Sequence, residues 1–200
     1  HPKILEYSQI WMDSLRGGES MLVNTNKLIR FYDGATGLKT GSTGSAGYCL
    51  SATAEKNGME LIAVVLKGKT SDERFSDAKS LLNYGFSTWS LVTVTPDEVL
   101  PPVPVTLGVR GTVQPVLTSE NTLLVEKTLA NGLTKEVALA ESVAAPVYAG
   151  DTLGQLTVRD AAGNTVAELP ILAGEDVGHV TFVQMLGRCL ARGFCMGPQS

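Results

Sequence analysis

Two apolar stretches of strand length flank a short polar turn in the first hundred residues. They cover residues 47–54 and 59–66, and the four residues between them include Asn57-Gly58, a common two-residue hairpin turn. The second stretch is almost continuously apolar, which is typical of a strand covered on both faces. The pattern predicts a hairpin and, with a further strand opening at Lys39, a three-stranded antiparallel meander.

Helical spacing of apolar residues precedes and follows this meander. Residues 70–73 (Thr-Ser-Asp-Glu) have the sequence of a capping box, and apolar positions then recur on one helical face as far as Gly85. A helix ending at Gly85 is therefore predicted, because glycine is common just past a helix end. Apolar residues at 4, 7, 10, 11 and 15 predict a second helix over residues 3–15, ended by Gly17-Gly18.

A different pattern begins after Trp89. Four prolines between residues 92 and 105 indicate a linker. Short strand-like segments then alternate with turns, at residues 103–107, 113–117, 122–126, 136–139, 155–158 and 166–169. We therefore predict an α/β part over residues 1–91, an antiparallel sheet packed by helices, followed by a small all-β, sandwich-like domain over residues 92–176.

The tail, residues 177–200, is predicted to hold an amphipathic helix. Apolar residues recur at helical spacing, and two arginines lie between them; the apolar positions are Val180, Val183, Leu186, Leu190 and Phe194, and the arginines are Arg188 and Arg192. Such a helix either packs against a partner or lies on a membrane surface.

Composition excludes several kinds of chemistry. The net charge of −4 and the absence of a basic cluster argue against nucleic acid as a partner. The only histidines are His1 and His179, and the cysteines Cys49, Cys189 and Cys195 form no metal-binding spacing, so neither a metal site, a cofactor nor a Ser-His-Asp triad is indicated. The odd number of cysteines leaves their pairing open. If acyl transfer occurs here, a lysine must carry the proton. The chain starts at His1-Pro2, which we interpret as the interior of a longer protein.

The sequence Lys39-Thr40-Gly41 alone would predict only a solvated strand start. Its neighbours make it specific: residues 24–26 (Asn-Thr-Asn), 32–34 (Tyr-Asp-Gly), 37–43, 46–48 (Ala-Gly-Tyr), Arg74 and 81–86 follow in one order. Together they resemble the D-alanyl-D-alanine carboxypeptidases, low-molecular-mass penicillin-binding proteins among the serine peptidases. The resemblance extends over residues 1–175 and implies that residues 1–91 are the C-terminal part of a β-lactamase/transpeptidase-like catalytic domain.

The resemblance implies roles for five residues. Lys39 would bring positive charge beside the nucleophilic serine and favour an anionic transition state. Thr40 would bind the free carboxylate of a terminal D-alanine, Gly41 would let the substrate backbone approach the strand, and the Ser42 N–H would form half of an oxyanion hole. Arg74 would either assist with the carboxylate or be an ordinary surface charge.

The nucleophile motif S-x-x-K and the S-x-N motif should both precede Lys39, and neither does. Ser76-x-x-Lys79 and Ser119-x-Asn121 match these patterns but follow Lys39, in the wrong order, and we interpret them as chance. We therefore expect the chain to be the C-terminal portion of an enzyme whose serine lies elsewhere, to be inactive by itself, and to leave part of its sheet unpaired.

The parent implied by the resemblance is a bacterial, extracytoplasmic enzyme of the cell envelope. It would remove the terminal D-alanine from peptidoglycan pentapeptides, be acylated by β-lactams, and contact the outer face of the cytoplasmic membrane through its tail. The main alternative is a non-catalytic cell-wall or protein-binding module with a vestigial half-site. A β-lactamase is disfavoured by the second domain. Residues 144–156 resemble a hairpin of biotinyl or lipoyl carrier domains, but neither Lys127 nor Lys135 has the setting of a carrier lysine.

Overall fold

The computed structural model describes residues 1 and 3–195, and of residues 188, 189 and 191–195 it describes the backbone alone. The chain forms two compact units. Unit 1 consists of His1–Val92 together with Leu124–Ala130, and unit 2 consists of Thr93–Leu123 and the chain from Asn131 onward. The three-part division at residues 91 and 176 stays a prediction.

The elements follow one another along the chain in this order. The first half forms α1 (Lys3–Ser8), β1 (Met12–Leu15), β2 (Ser20–Val23), α2 (Leu28–Phe31), β3 (Ala35–Thr43), β4 (Gly47–Lys56), β5 (Met59–Gly68), α3 (Ser71–Thr88) and β6 (Trp89–Thr93). The second half forms β7 (Val103–Thr106), β8 (Thr112–Val113), β9 (Pro115–Leu117), β10 (Thr122–Glu126), α4 (Lys127–Ala130), β11 (Thr134–Leu139), β12 (Val143–Ala144), β13 (Thr152–Arg159), β14 (Thr165–Ala173) and α5 (Phe182–Cys195).

The predicted meander is confirmed and forms the centre of unit 1. Strands β3, β4 and β5 pair in that order, each antiparallel to its neighbour. Asn57 and Gly58 form the turn between β4 and β5 with φ values of 52° and 75°. Both residue types tolerate this left-handed conformation, which is why the Asn-Gly signal located the hairpin correctly.

The helix predicted over residues 3–15 is wrong after Ser8. Residues 12–15 instead form β1, which pairs with β2 across a 3-10 turn at Arg16–Gly18. Gly17 and Gly18 adopt φ values of 69° and 103°, which few other residues tolerate, and this turn folds the chain back on itself. The two glycines therefore connect two strands; they do not end a helix.

Helix α3 covers one face of the sheet. Its buried residues Phe75, Ala78 and Leu82 pack against Leu50, Ala52, Ala54, Ala63 and Val65 of the strands. The Thr70 side chain accepts a hydrogen bond from the Glu73 N–H at 3.1 Å, as a capping residue does. The predicted end at Gly85 is wrong, because the helix continues to Thr88. Gly85 serves close packing: a Cβ there would lie 2.5 Å from Leu61 Cδ1.

The opposite face of β5 is exposed. Ile62, Val64 and Leu66 alternate with the core residues of that strand and are 69%, 57% and 72% exposed. The expectation that β5 is covered on both faces is therefore wrong for the part of the chain that the structure describes. A soluble protein seldom leaves three large apolar side chains in a row on one sheet face.

Unit 2 is built from two small sheets, as the prediction of an all-β, sandwich-like domain requires. One sheet has the strand order β11-β13-β14-β9 and the other the order β12-β7-β8. Its core is formed by residues that include Val103, Val105, Val113, Leu153 and Ala173. The predicted strand at residues 113–117 is divided, since Val113 ends β8 and Pro115 begins β9 in the other sheet.

The tail contains the predicted helix, but it begins later than the periodicity indicates. Val177 pairs with Val147, and the Val180 N–H donates to the Leu107 carbonyl at 2.8 Å, so both valines belong to the core of unit 2. Helix α5 starts at Phe182 and exposes the apolar side chains of Phe182, Val183, Met185, Leu186 and Leu190. The side chains of Arg188, Cys189, Arg192, Phe194 and Cys195 lie outside the described residues.

Candidate active site

The segment Lys39–Ser42 lies in the middle of β3. The strand begins at Ala35, so the expectation that Lys39 opens it is wrong. The Glu55 N–H donates to the Gly34 carbonyl at 2.8 Å and so extends the pairing with β4 back to the preceding turn. Across the ladder, the segment faces Ser51, Leu50, Cys49 and Tyr48 in turn.

Alternation along β3 separates the predicted site residues onto two faces. Thr40 shares the buried face with Leu50 and is 8% exposed, whereas Lys39 and Gly41 are on the opposite side and are exposed. A Cβ on Gly41 would have no heavy atom within 4 Å. Packing among the described residues therefore does not require glycine here, and the strand is open to the close approach of another molecule.

The Lys39 ammonium lies on this open side. Its Nζ donates to the carbonyl of Thr40 at 2.6 Å. The side chain borders a surface cavity of about 400 Å³, whose other lining residues are Ile4, Tyr7, Ser8 and Leu38. A positive charge is thus held against its own strand at the edge of an accessible, partly apolar cavity.

The Thr40 hydroxyl meets a residue that the sequence did not single out. Its Oγ1 lies 2.7 Å from Oγ1 of Thr25, and either hydroxyl can be the donor. Thr25 is exposed and lies between β2 and α2. The sequence contained one signal for this contact, since Thr25 is the central residue of the Asn-Thr-Asn segment that contributes to the resemblance.

Arg74 is buried and contacts the same strand from behind. It lies on α3, is 7% exposed, and its Nη1 donates to the carbonyls of Gly41 and Cys49, both at 3.3 Å. Its Nη2 donates to Ser71 Oγ at 3.3 Å, and the guanidinium lies over the Phe75 ring at 4.8 Å from the centroid. Nε has no hydrogen-bond partner among the described residues. The alternative of an ordinary surface charge is therefore wrong.

Contacts with α3 also position the segment that leads into β3. The Tyr32 hydroxyl donates to Asn83 Oδ1 at 2.9 Å. Burial raises the pKa of Tyr32, and the neighbouring Asp33 carboxylate raises it further, so the phenol stays protonated and keeps donating. Lys27 Nζ bonds Asp72 Oδ1 at 2.9 Å, and this hydrogen bond lowers the pKa of Asp72. Residues 27–33 are thereby held against the helix.

The structure does not assemble the S-x-x-K and S-x-N matches into a site. Ser76 is exposed on α3, and no hydrogen bond joins its hydroxyl to Lys79 among the described residues. Ser119 is exposed in unit 2. Neither lysine considered for the carrier alternative lies at a hairpin tip, since Lys127 begins α4 and Lys135 lies within β11. Both are engaged: Lys127 Nζ donates to the Phe86 carbonyl at 2.6 Å, and Lys135 pairs with Asp97 at 2.5 Å.

Two family models match the chain. Residues 2–70 match the model of D-alanyl-D-alanine carboxypeptidase, and residues 92–179 match that of the C-terminal domain of penicillin-binding protein 5. Together the two matches cover most of the chain. The chain belongs to the D-alanyl-D-alanine carboxypeptidase family. The first match contains Lys39–Ser42 and Thr25, and the second contains the strands of both sheets of unit 2 but not α5.

Individual relatives agree with this assignment. The D-alanyl-D-alanine carboxypeptidase DacF of Bacillus subtilis is 32% identical over 195 residues, which cover 95% of this chain and 50% of the relative. DacC of Escherichia coli is 30% identical over 70% of this chain and 36% of the relative. The chain thus spans half or less of these family members. Penicillin-binding protein 5 from Haemophilus influenzae shares the fold, with a TM-score of 0.71, 23% identity and coverage of 89% of this chain and 52% of that one.

Proposed function

We propose that the full-length protein is a serine D-alanyl-D-alanine carboxypeptidase and that this chain supplies the substrate-binding strand of its active site. The observation that supports this most directly is the setting of Lys39–Ser42 on an open strand, within a sequence that matches the family. The substrate would be a peptidoglycan pentapeptide, and penicillins would acylate the same serine, as the name of the penicillin-binding proteins suggests.

The geometry of β3 suits this chemistry. Attack by a serine on a peptide carbonyl places negative charge on the carbonyl oxygen, and the exposed Lys39 ammonium favours that charge. The Thr40 hydroxyl is suited to a terminal carboxylate, and the Ser42 N–H to the oxyanion. The space beside Gly41 admits a substrate backbone as an added strand. The serine itself would come from a part of the protein outside these residues, since no S-x-x-K precedes Lys39.

Arg74 supports the site in two ways. Its guanidinium donates to the Gly41 carbonyl and so braces the strand. None of the ion pairs among the described residues includes it, so its positive charge lies close behind β3 without a carboxylate to neutralise it. A substrate carboxylate bound on this strand would be stabilised by that charge.

We test this with a fluorescent penicillin and with release of D-alanine from a D-Ala-D-Ala peptide. The full-length protein is expected to do both, and Lys39→Ala to slow acylation by about 100-fold or more, the usual cost of removing a transition-state charge partner. Lys79→Ala, a lysine outside the site, is the matched control and should react normally. The 200-residue chain alone is expected to form no adduct.

Two results would contradict the proposal. A full-length protein that binds cell wall yet never reacts with penicillin would favour the alternative of a non-catalytic wall-binding module. An adduct on the isolated chain, mapped to Ser76, would show that the dismissed S-x-x-K match is the nucleophile.

We also propose that the protein lies in the cell envelope and that α5 contacts the outer face of the cytoplasmic membrane. No helix in the described residues is long and apolar enough to span a bilayer. The exposed apolar side chains of α5, with Arg188 among them in sequence and Arg192 two residues after Leu190, favour a helix lying in the membrane surface. The chain is expected to sediment with vesicles that contain anionic lipid, and Leu186→Glu with Val183→Glu should abolish this. Equal sedimentation of both proteins would contradict membrane contact.

A further inference from the structure

We propose that Thr25 is a positioning residue for carboxylate recognition, acting through the hydroxyl of Thr40. The inference rests on the proposed function, because it takes Thr40 as the group that binds the substrate carboxylate. Its basis is the 2.7 Å contact between the two Oγ1 atoms. Thr25 is exposed, whereas Thr40 is 8% exposed, so a change at position 25 can reach the Thr40 hydroxyl without disturbing the core.

Two asparagines hold Thr25 in place. Asn24 Nδ2 donates to the carbonyls of Ser8 and Ile10, both at 3.0 Å. Asn26 is 1% exposed; its Nδ2 donates to the Gly37 carbonyl of β3 at 2.7 Å, and its Oδ1 accepts from the Leu28 N–H at 3.1 Å. The residue between them is therefore tied to β3 on one side and to α1 and its following loop on the other.

The arrangement has a chemical consequence, because each hydroxyl has a single proton. When two hydroxyls bond each other, one proton is used between them and one remains for a third group. A carboxylate can only accept, so an anion bound at Thr40 requires the Thr40 proton, and Thr25 must then donate to the Thr40 oxygen. The resulting chain runs from Thr25 to Thr40 to the carboxylate, and each bond polarises the next.

Without the Thr25 hydroxyl, Thr40 would lose both the partner that orients its proton and the polarisation that makes it a better donor. The loss should affect only ligands that present a carboxylate to Thr40. A ligand with the same ring system and an esterified carboxyl group should react equally well with or without Thr25. This dependence on the ligand separates positioning from a general structural effect.

The experiment compares acylation of the full-length protein by benzylpenicillin and by its methyl ester. The measured quantity is the second-order rate constant for benzylpenicillin divided by that for the ester. Thr25→Val is expected to lower this ratio about fivefold to tenfold, which is within the usual range for a hydrogen bond between two uncharged groups. Thr25→Ser keeps the hydroxyl and should restore the ratio. Thr36→Val is the matched control: it removes a hydroxyl from another threonine pair of the same sheet, with Thr36 Oγ1 2.8 Å from Thr53 Oγ1.

The outcomes distinguish the inference from the function on which it rests. A wild-type protein that reacts with neither compound contradicts both. A reactive wild type with an unchanged ratio in Thr25→Val contradicts the role of Thr25 alone, as does an equal fall of the ratio in Thr36→Val. Thermal unfolding is measured for each variant, and Thr25→Ala replaces Thr25→Val if the valine variant does not fold.

Discussion

Arg74 shows how a single side chain links the helix to the candidate site. Its guanidinium is buried between the Phe75 ring and the backbone of β3 and β4, and it satisfies the carbonyls of Gly41 and Cys49 at one nitrogen. A lysine in its place would keep the charge, but a single ammonium cannot match the planar fork or the stacking. We therefore expect the geometry of arginine, and not only its charge, to matter here.

We predict that Arg74→Lys lowers the free energy of unfolding of unit 1 by about 2 kcal/mol, since hydrogen bonds from a charged group are lost in a buried setting. Urea unfolding can be followed by tryptophan fluorescence, because both tryptophans, Trp11 and Trp89, lie in unit 1. Arg30→Lys is the control, as Arg30 is exposed. If both substitutions change stability equally, the contacts of Arg74 contribute nothing specific.

At the scale of elements, the packing of α3 on β5 depends on a glycine inside the helix. Gly85 does not have a positive φ, so its backbone conformation does not require glycine. Its missing side chain instead leaves room for Leu61. Glycine weakens a helix interior by about 1 kcal/mol relative to alanine. The helix therefore gives up intrinsic stability so that the strand can approach closely.

Helix propensity favours alanine at position 85, whereas crowding by Leu61 disfavours it. A double-mutant cycle at positions 61 and 85 should therefore show a coupling whose sign can be predicted. In a Leu61→Ala background, where the crowding atom is gone, Gly85→Ala should raise the free energy of unfolding by about 1 kcal/mol through helix propensity. In the wild-type background the same change should give no gain, because the new Cβ must displace Leu61 Cδ1. An equal gain in both backgrounds would mean that Leu61 moves aside freely and that Gly85 is not there for packing.

The elements that sequence alone predicted well are those specified locally. Asn57-Gly58 and the capping threonine Thr70 act within a few residues, and both were found where expected. The same local reasoning failed at residues 10–15, because apolar residues at 10, 11, 12 and 15 suit a short helix as well as a strand. The choice there was made by pairing with β2, which periodicity within one segment cannot show.

The residues of the candidate site also fall into two groups, those that a local motif identifies and those that only packing brings together. Lys39, Thr40, Gly41 and Ser42 are consecutive, so a motif could identify them. The burial of Arg74 and the contact of Thr25 with Thr40 join residues that are 33 and 15 positions apart, and they depend on how α3 and the loop before α2 pack. The exposed face of β5 was likewise hidden from sequence, since a continuous apolar stretch does not reveal which of its faces is covered.

At the scale of the whole molecule, the exposed face of β5 is consistent with a chain that spans only half of the length of its relatives. The chain matches half of the length of DacF, and Ile62, Val64 and Leu66 lie on an uncovered sheet face. We expect this face to be covered in the full-length protein. The isolated chain should then bind dyes that report apolar surface, and the full-length protein should bind less.

Two substitutions on that face test whether it is exposed in the isolated chain and covered in the full-length protein. Ile62→Thr with Leu66→Thr should lower dye binding by the isolated chain and change its stability by only about 0.5 kcal/mol, as is usual for exposed positions. In the full-length protein the same pair should destabilise by about 2 kcal/mol or more, because covered apolar side chains would be lost. Val99→Thr, at a site that is 92% exposed in unit 2, is the control for both. A harmless double substitution in the full-length protein would mean that the face remains open there.

The path of the chain between the two units limits how genes of this family can exchange parts. Unit 1 is made of two separate stretches, since Leu124–Ala130 returns to it after Thr93–Leu123 has contributed to unit 2. A single crossover near residue 92 would therefore separate the end of β10 and helix α4 from the rest of unit 1. Chimaeras should stay functional when residues 1–92 and 124–130 come from one parent and residues 93–123 and 131 onward from the other, so recombination at the proline-rich segment alone should be selected against.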